Sequence, residues 1–451
     1  MNRIMIAGVR SGCGKTSITC SMLQALINHR VNAVSFKCGP DYIDPMFHSK
    51  IIGVKACNLD SFFCDDNTLK YLFTENSQGF DISIVEGVMG FYDGAGSRAS
   101  SYFISQILNI PTVIVIDCKG ISDSLGAVMK GFLTYRQPNN IVGFIFNCLP
   151  KKLTDAVKKM CEELGTEYLG FMPYNSICRI ESRHLGLITA DEVCNLKDKI
   201  QSLSDMAEEN INIDRIISLA QDCPQLYFNE PDICNICSDG AVRIAVARDD
   251  AFCFIYEDNL KMLKKLGCEI MFFSPLKDKH LPENIDGIIL SGGYPELYAE
   301  RLAKNKSMLN EISSAICGKI PIIAECGGFM YLHNFICCGG RKHELTGIVD
   351  GEVYKTDKLQ RFGYINITAK RDCMLCRKGE TIKAHEFHYW ESSCCGNDFI
   401  AEKESNKQQW RCIHANNHIY AGFPHIYFYS DTRTAVNFVR RCIIFKNGKN
   451  K

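Results

Sequence analysis

The sequence predicts two α/β domains, each a largely parallel sheet flanked by helices. Three observations carry that reading. Short apolar runs alternate with helix-length segments through the first half. A glycine-rich loop follows the first apolar run directly and opens a helical pattern. After an aperiodic stretch, the same alternation starts again.

Taken in order, strands are expected at 4–9, 33–37, 82–86, 112–117, 142–147 and 168–172. Helices are expected between them at 15–28, 122–135 and 153–164. The pattern over 196–219 predicts one more helix that finishes the first domain, 1–221. Residues 222–241 carry Pro224 and Pro231 and little periodicity, and read as a linker. The second domain, 242–440, restarts with a strand at 243–247 and a helix at 258–266. Further strands follow at 269–273, 287–290 and 320–324. No internal repeat or low-complexity tract interrupts either half.

Composition narrows the function. A chain of 451 residues, 46% apolar, suits two or three packed domains. Lys+Arg and Asp+Glu both total 51, so the net charge is zero, which argues against a general nucleic-acid or anionic-membrane binder. No apolar run approaches the ~20 residues of a membrane span. The N-terminus runs straight into a strand with no signal-peptide pattern, so a cytoplasmic location is expected. The 25 cysteines are scattered through strands and helices of a long chain, which reads as reduced thiols serving as small hydrophobes. Two C-x-x-C pairs, Cys234/Cys237 and Cys373/Cys376, leave open either a zinc site or ordinary loop cysteines.

The loop after the first strand is Gly8-Val9-Arg10-Ser11-Gly12-Cys13-Gly14-Lys15-Thr16. Backbone N–H groups of such a loop cradle phosphates at a helix N-terminus. The lysine neutralises phosphate charge and the threonine hydroxyl takes Mg²⁺. Strict G-x-x-x-x-G-K-[ST] spacing requires glycine at position 9, where this chain has Val9, so the loop is a variant. Gly8, Ser11, Gly12, Gly14, Lys15 and Thr16 are the candidate ATP-binding residues. Phosphoryl transfer also needs acidic groups to hold metal. Asp41 and Asp93 lie in glycine-containing turns, and Glu86 ends a strand. In a parallel sheet the carboxyl ends of the strands face the ligand crevice, which would bring all three toward Lys15 and Thr16.

A second chemical signal sits in Pro321-Ile322-Ile323-Ala324-Glu325-Cys326-Gly327-Gly328-Phe329. An apolar strand stops at a cysteine, two glycines follow, and a helical pattern begins. A nucleophile on such a turn is held out of the sheet. The helix N-terminus behind it is expected to favour the thiolate.

Residues 37–48, Asn58-Leu59-Asp60, 86–94 and Arg183-His184-Leu185-Gly186-Leu187 closely resemble the cobyrinic acid a,c-diamide synthase family. Members of that family amidate two acetate side chains of a corrin precursor in cobalamin biosynthesis. The N-terminal half also resembles dethiobiotin synthetase, and the C-terminal half resembles the cobyrinate/cobyrate branch of class I glutamine amidotransferases. The resemblance implies that Lys15 and Thr16 bind ATP and Mg²⁺. It implies that Asp41 and Glu86 serve the metal and the phosphorylated intermediate, and that Tyr42, Ile43 and Asp93 govern substrate amidation. Lys37, beside them, would bind a carboxylate or the transferred phosphate.

In the second half the resemblance implies that Cys326 attacks the side-chain amide of glutamine, giving a glutamyl thioester and ammonia. The oxyanion needs N–H donors, for which Gly327 and the Gly293 turn stand ready. His425, in Gly422-Phe423-Pro424-His425-Ile426-Tyr427, matches the family base. Many class I relatives carry a glutamate two positions later to orient that histidine. Here the position is Tyr427, which leaves the partner of His425 open. His385-Glu386-Phe387-His388 lacks H-E-x-x-H spacing and reads as a polar cluster that lines the glutamine site or a domain contact, rather than a metal site.

The implied reaction is ATP- and glutamine-dependent amidation of the a- and c-acetates of cobyrinate through acyl phosphates. Ammonia would travel between the two sites along a sequestered path. Ni-sirohydrochlorin or hydrogenobyrinate are alternative substrates. A non-catalytic P-loop switch with a vestigial glutaminase domain, or a thiol redox sensor, is the alternative of a different class. Oligomeric state is left open.

Overall fold

A computed structural model of the chain describes residues 1–95, 98–175, 190–233 and 240–449. The chain divides into two units, Met1–Pro231 and Asp232–Lys451.

The first unit is built on a seven-stranded sheet. In spatial order the strands are Lys55–Leu59, Ala33–Cys38, Ile82–Glu86, Arg3–Gly8, Thr112–Asp117, Ile141–Asn147 and Glu167–Met172. Every neighbouring pair is parallel. Arg3–Gly8, Ala33–Cys38 and Ile82–Glu86 are buried at every residue. Covering both faces of a parallel sheet leaves no face for polar side chains, so these strands read as continuous apolar runs. Register pairs Lys37 with Glu86 and Ile6 with Glu86, so the loops after three adjacent strands open at one sheet end. The helix Lys15–Asn28 begins there, behind Gly14 at φ 99°.

Two features depart from the expected elements. The single helix expected over 196–219 is two, Ala190–Asn210 and Ile213–Gln221. The break falls where the chain bridges Gly170 at Ile211, and the Asn212 side chain caps the second helix by accepting from Arg215 N–H. Gly170 permits this approach, since a Cβ there would sit 2.4 Å from the Asn210 carbonyl oxygen. The edge strand Lys55–Leu59 was not anticipated. It is half-buried, with Lys55 and Asn58 partly exposed, whereas every residue of the adjacent strand Ala33–Cys38 is buried.

In the second unit a six-stranded sheet runs Cys268–Phe273, Val242–Ala247, Gly287–Leu290, Ile322–Glu325, Ile419–Gly422 and His414–Ala415. The first five are parallel and the last is antiparallel. A five-stranded antiparallel sheet accompanies it, ordered Gln409–Cys412, Phe399–Lys403, Arg361–Ala369, Thr381–His388 and His425–Ile426. The chain therefore leaves the parallel sheet at Gly422 and joins the antiparallel one at His425 within three residues. Among the described residues no helix is long and apolar enough to cross a membrane.

Candidate active site

At the open end of the first sheet, the sequence-predicted residues Lys15, Thr16, Lys37 and Glu86 come together. Glu86 is fully buried at the end of its strand. Its Oε1 accepts from Thr16 Oγ1 at 2.6 Å and from Lys37 Nζ at 2.8 Å. Lys37 Nζ also lies 2.5 Å from Asp44 Oδ2. Lys15 Nζ donates to the carbonyls of Arg10 at 3.0 Å and Met89 at 2.5 Å, which holds the lysine back along the loop. The loop glycines are required by space as well as conformation. A Cβ on Gly8 would meet Cys13 Sγ at 2.3 Å, and one on Gly14 would meet Asn147 Nδ2 at 2.1 Å. Gly12 needs its left-handed φ of 71°. Ser11 is exposed at the tip of the loop.

Electrostatics in this cluster are set by burial against charge. Burial alone would raise the Glu86 carboxyl, but Lys37 and His48 hold it well below the usual range. Asp44 goes the other way, pushed up to about 6 by burial and by the Glu86 charge despite Lys37. Burial disfavours the Lys37 cation, yet Glu86 and Asp44 together raise it well above its ordinary value. Burial lowers Lys15, with Lys37 adding to the effect.

Two residues here carried no separate expectation. Asp44 joins Lys37 and stands 3.5 Å from Thr16 Oγ1. His48 is fully buried between Ser35, 2.7 Å from Nδ1, and Glu86 Oε2, 3.4 Å from Nε2. Asp41, expected as a metal ligand, caps the short helix Ile43–Phe47, its Oδ1 accepting from Ile43 N–H at 2.8 Å and Asp44 N–H at 3.3 Å. The signal for Asp44 is its spacing, three residues after Asp41 and in the first turn of that helix. Tyr42 is buried, and Ile43 packs against the core of the unit. Asp93 is exposed and accepts from Gly90 N–H at 3.0 Å, closing its own turn. Arg183–Leu187 lies outside the described residues, as do Cys234 and Cys237.

Thr16, Asp44 and Glu86 offer oxygen donors, the set a hard divalent cation prefers. Glu86 Oε2 lies 3.4 Å from His48 Nε2, while Oε1 is turned to Thr16 and shares Lys37 with Asp44. The residues thus fit Mg²⁺.

In the second unit Cys326 ends the strand Ile322–Glu325 with φ 47° and ψ −103°, a conformation that side chains rarely hold. Its N–H donates to the Gly422 carbonyl at 2.8 Å and its carbonyl accepts from Met330 N–H at 2.8 Å, which fixes the turn at both ends. The helix that follows, Gly327–Tyr331, packs so closely that a Cβ on Gly328 would lie 2.1 Å from the Leu290 carbonyl oxygen. Gly293, at φ 154°, brings its N–H beside Gly327, where a Cβ would sit 2.9 Å from Gly293 N. The two expected oxyanion donors are therefore neighbours.

The expectation of a resting thiolate is corrected. Burial, reinforced by the Glu296 charge, pushes the Cys326 thiol well above its ordinary value, and the Gly327 N–H only partly opposes this. A five-residue helix end does not outweigh a fully buried sulfur. These surroundings favour the thiol over the thiolate, so attack by Cys326 would call for a base.

His425 is buried, paired in register with His385 and stacked on it with ring centroids 4.9 Å apart. Burial, then the His425 charge, keeps His385 neutral by lowering it well below the ordinary value. A Cβ on Gly292 would come 2.5 Å from His425 Cε1 and 3.4 Å from Nε2, so that edge of the ring faces the Gly292–Gly293 turn. Gly292→Ala should therefore displace the imidazole and lower glutamine hydrolysis by about 100-fold, measured as glutamate release, with the unit still folded. Wild-type rates in that variant would place the base elsewhere. Tyr427 donates to Asp258 Oδ2 at 2.8 Å. His388 stacks on Phe423 at 3.9 Å and its Nδ1 lies 2.6 Å from the Trp390 carbonyl. Among the described residues no group of three or more His, Cys, Asp or Glu is placed to hold a metal ion. Cys373 and Cys376 have their sulfurs 3.8 Å apart in a buried turn.

Comparison with known proteins agrees with this division. Residues 4–188 match the CobQ/CobB/MinD/ParA nucleotide binding domain, and 243–433 match the CobB/CobQ-like glutamine amidotransferase domain. The cobyrinate a,c-diamide synthase of Caldanaerobacter subterraneus subsp. tengcongensis is 36% identical over 448 residues, covering 98% of each chain. That of Listeria monocytogenes serotype 4b is 36% identical, covering 96% of this chain and 97% of its own. That of Thermoplasma volcanium is 37% identical, covering 98% and 97%. With a nucleotide loop at one sheet end, a cysteine elbow at another and relatives aligned along nearly the whole length, the chain belongs to the cobyrinate a,c-diamide synthase family of glutamine-hydrolysing amidoligases.

Proposed function

We propose that this chain amidates the a- and c-acetate carboxylates of cobyrinate, using ATP and glutamine. The observation that carries the reading is the presence, in one chain, of a phosphate loop with the Lys37–Glu86–Asp44 cluster and a cysteine elbow whose preceding residue, Glu325, lies beside His425. One makes an acyl donor and the other makes a nucleophile.

A carboxylate is a poor acyl donor. At the first site its oxygen attacks the γ-phosphorus of ATP, the bond to ADP breaks, and an acyl phosphate forms. Gly8, Ser11, Gly12 and Gly14 shape the loop around the phosphates, and Lys15 neutralises them. Thr16, Asp44 and Glu86 would hold Mg²⁺, which offsets the charge of the transferred group when bound, and Asp41 keeps Asp44 in place by capping its helix. Lys37, charged at working pH, draws the substrate carboxylate or the phosphoryl oxygens. Tyr42, Ile43 and Asp93 border this space and would select the acetate. At the second site, the Cys326 proton passes to His425 as sulfur attacks the glutamine amide. The Gly293 and Gly327 N–H groups stabilise the oxyanion. Ammonia leaves, and water releases glutamate from the thioester. Ammonia then attacks the acyl phosphate and expels inorganic phosphate. Two rounds give the diamide.

The test is mass spectrometry of products from a panel of tetrapyrroles incubated with ATP, Mg²⁺ and glutamine. Two added amides on cobyrinate are expected. Preference for nickel sirohydrochlorin or hydrogenobyrinate would move the substrate, and glutamate release without amide on any ring would overturn the reading.

A further inference from the structure

The base His425 needs an orienting acid, and the position two residues on cannot provide it. That residue is Tyr427, whose hydroxyl is committed to Asp258. We propose that Glu325, the residue directly before the nucleophile, is the positioning carboxylate for His425. The proposal rests on the reading of Cys326 and His425 as the glutaminase pair.

Three observations lead to it. His425 Nδ1 lies 3.6 Å from Glu325 Oε2, and both side chains are buried, at 2% and 10% exposure. The other oxygen, Oε1, accepts from Ile426 N–H at 3.0 Å. One carboxylate is thus tied to the backbone of the histidine's strand while it faces the histidine's ring. The third observation is the opposite edge of that ring. Nε2 and Cε1 face Gly292, beside the Gly293–Gly327 contact next to Cys326. With a carboxylate at Nδ1 and the Gly292–Gly293 turn, which borders Gly327, at Cε1 and Nε2, the ring has the orientation that proton transfer from the thiol requires.

The physical role is tautomer selection. An acid beside Nδ1 keeps the proton there and leaves the Nε2 lone pair to receive the Sγ–H proton. It then faces the imidazolium that this transfer creates. Parallel pairing of Glu325 with Gly422, three residues before His425, makes the arrangement possible. The acid arrives from the nucleophile's strand instead of the histidine's. His385 stacks on the same ring but is neutral, so it fixes the plane of His425 and supplies no negative charge.

The test is steady-state glutamine hydrolysis by the full chain, followed as glutamate release. Glu325→Gln keeps the shape and a carbonyl for Ile426 N–H but removes the charge. Its kcat should fall by about 100-fold or more while KM for glutamine stays within about two-fold, the pattern of an interaction that acts in the transition state. Glu325→Ala leaves a space the size of a small carboxylate, and added formate should restore kcat by about ten-fold, which a purely structural loss would not permit. A Glu325→Gln kcat within about two-fold of the parent overturns the proposal. So does a folded Glu325→Ala that formate leaves unchanged. Should Glu325→Ala fail to fold, Glu325→Gln alone decides. A parent enzyme that releases no glutamate, or a Cys326→Ala variant that still does, strikes the glutaminase reading beneath. A dead Cys326→Ala beside a fully active Glu325→Gln strikes only the role of Glu325.

Discussion

Cys326→Ala will abolish glutamine-dependent amidation and leave ammonia-dependent amidation in place. The sulfur is the only atom at that turn able to form the thioester, and removing a nucleophile of this kind costs on the order of 10⁴- to 10⁶-fold. The fold should survive the change. What holds the elbow is backbone: Cys326 N–H to Gly422, Cys326 carbonyl to Met330 N–H, and the close seat of Gly328 on Leu290. Ammonia supplied as a salt bypasses the second unit, and on the proposed mechanism an acyl phosphate at the first site accepts it directly. Only the free base attacks, so the ammonia-dependent rate at fixed total ammonium should rise with pH. Amide formation is measured by mass with glutamine and with ammonium chloride in parallel. Loss of both activities in a folded variant would defeat the model of two separate chemistries.

Much of this was legible in the residues because parallel sheets announce themselves. Strands buried on both faces read as unbroken apolar runs, and Arg3–Gly8, Ala33–Cys38, Ile82–Glu86 and Gly287–Leu290 fall close to where the pattern put them. The antiparallel sheet was not legible. Thr381–His388 holds Lys383 and an exposed Phe387 beside a buried His385-Glu386 pair, so its alternation is blurred where it borders the glutaminase site. The pattern over 196–219 reads as one helix because the interruption at Ile211 is a tertiary contact with Gly170, marked locally by no more than Asn210 and the cap residue Asn212.

The same limit applied to the sites. Motifs pointed to Lys15, Glu86, Cys326 and His425 as candidates. They did not separate Asp41, which caps a helix, from Asp44, which meets Lys37, since both are acids in one short segment. They also did not find Glu325 as a neighbour of His425. The two are far apart in sequence, and the carboxylate reaches the ring because Glu325 pairs with Gly422, three residues before His425. The thiolate expectation failed for a related reason. A helix end can be read from a sequence, but the burial that outweighs it cannot.

Lys15→Ala should stop ATP-dependent amidation with glutamine and with ammonia alike, because on the proposed mechanism both routes need the acyl phosphate. Losing one preorganised cation at a transferring phosphoryl group is worth roughly 10²- to 10³-fold in kcat. The side chain is buried, and among the described residues its ammonium donates to the carbonyls of Arg10 and Met89 and to no carboxylate, so its loss breaks no ion pair there. Glu86 is different. Its carboxylate joins Thr16, Lys37 and His48 in a fully buried cluster. Glu86→Ala would leave the Lys37 cation with less compensation, a disruption worth about 3–5 kcal/mol when a buried pair is broken. Glu86→Gln preserves the shape and is the cleaner companion variant. It should also lose amidation with either nitrogen source, and thermal unfolding separates that loss from simple instability. Glutamine hydrolysis measured in the same preparations gives the decisive contrast, because Cys326 and His425 do not depend on Lys15 for their chemistry. A Lys15→Ala enzyme that still amidates with ammonia at the parent rate would remove the loop from the reaction, whatever nucleotide it binds.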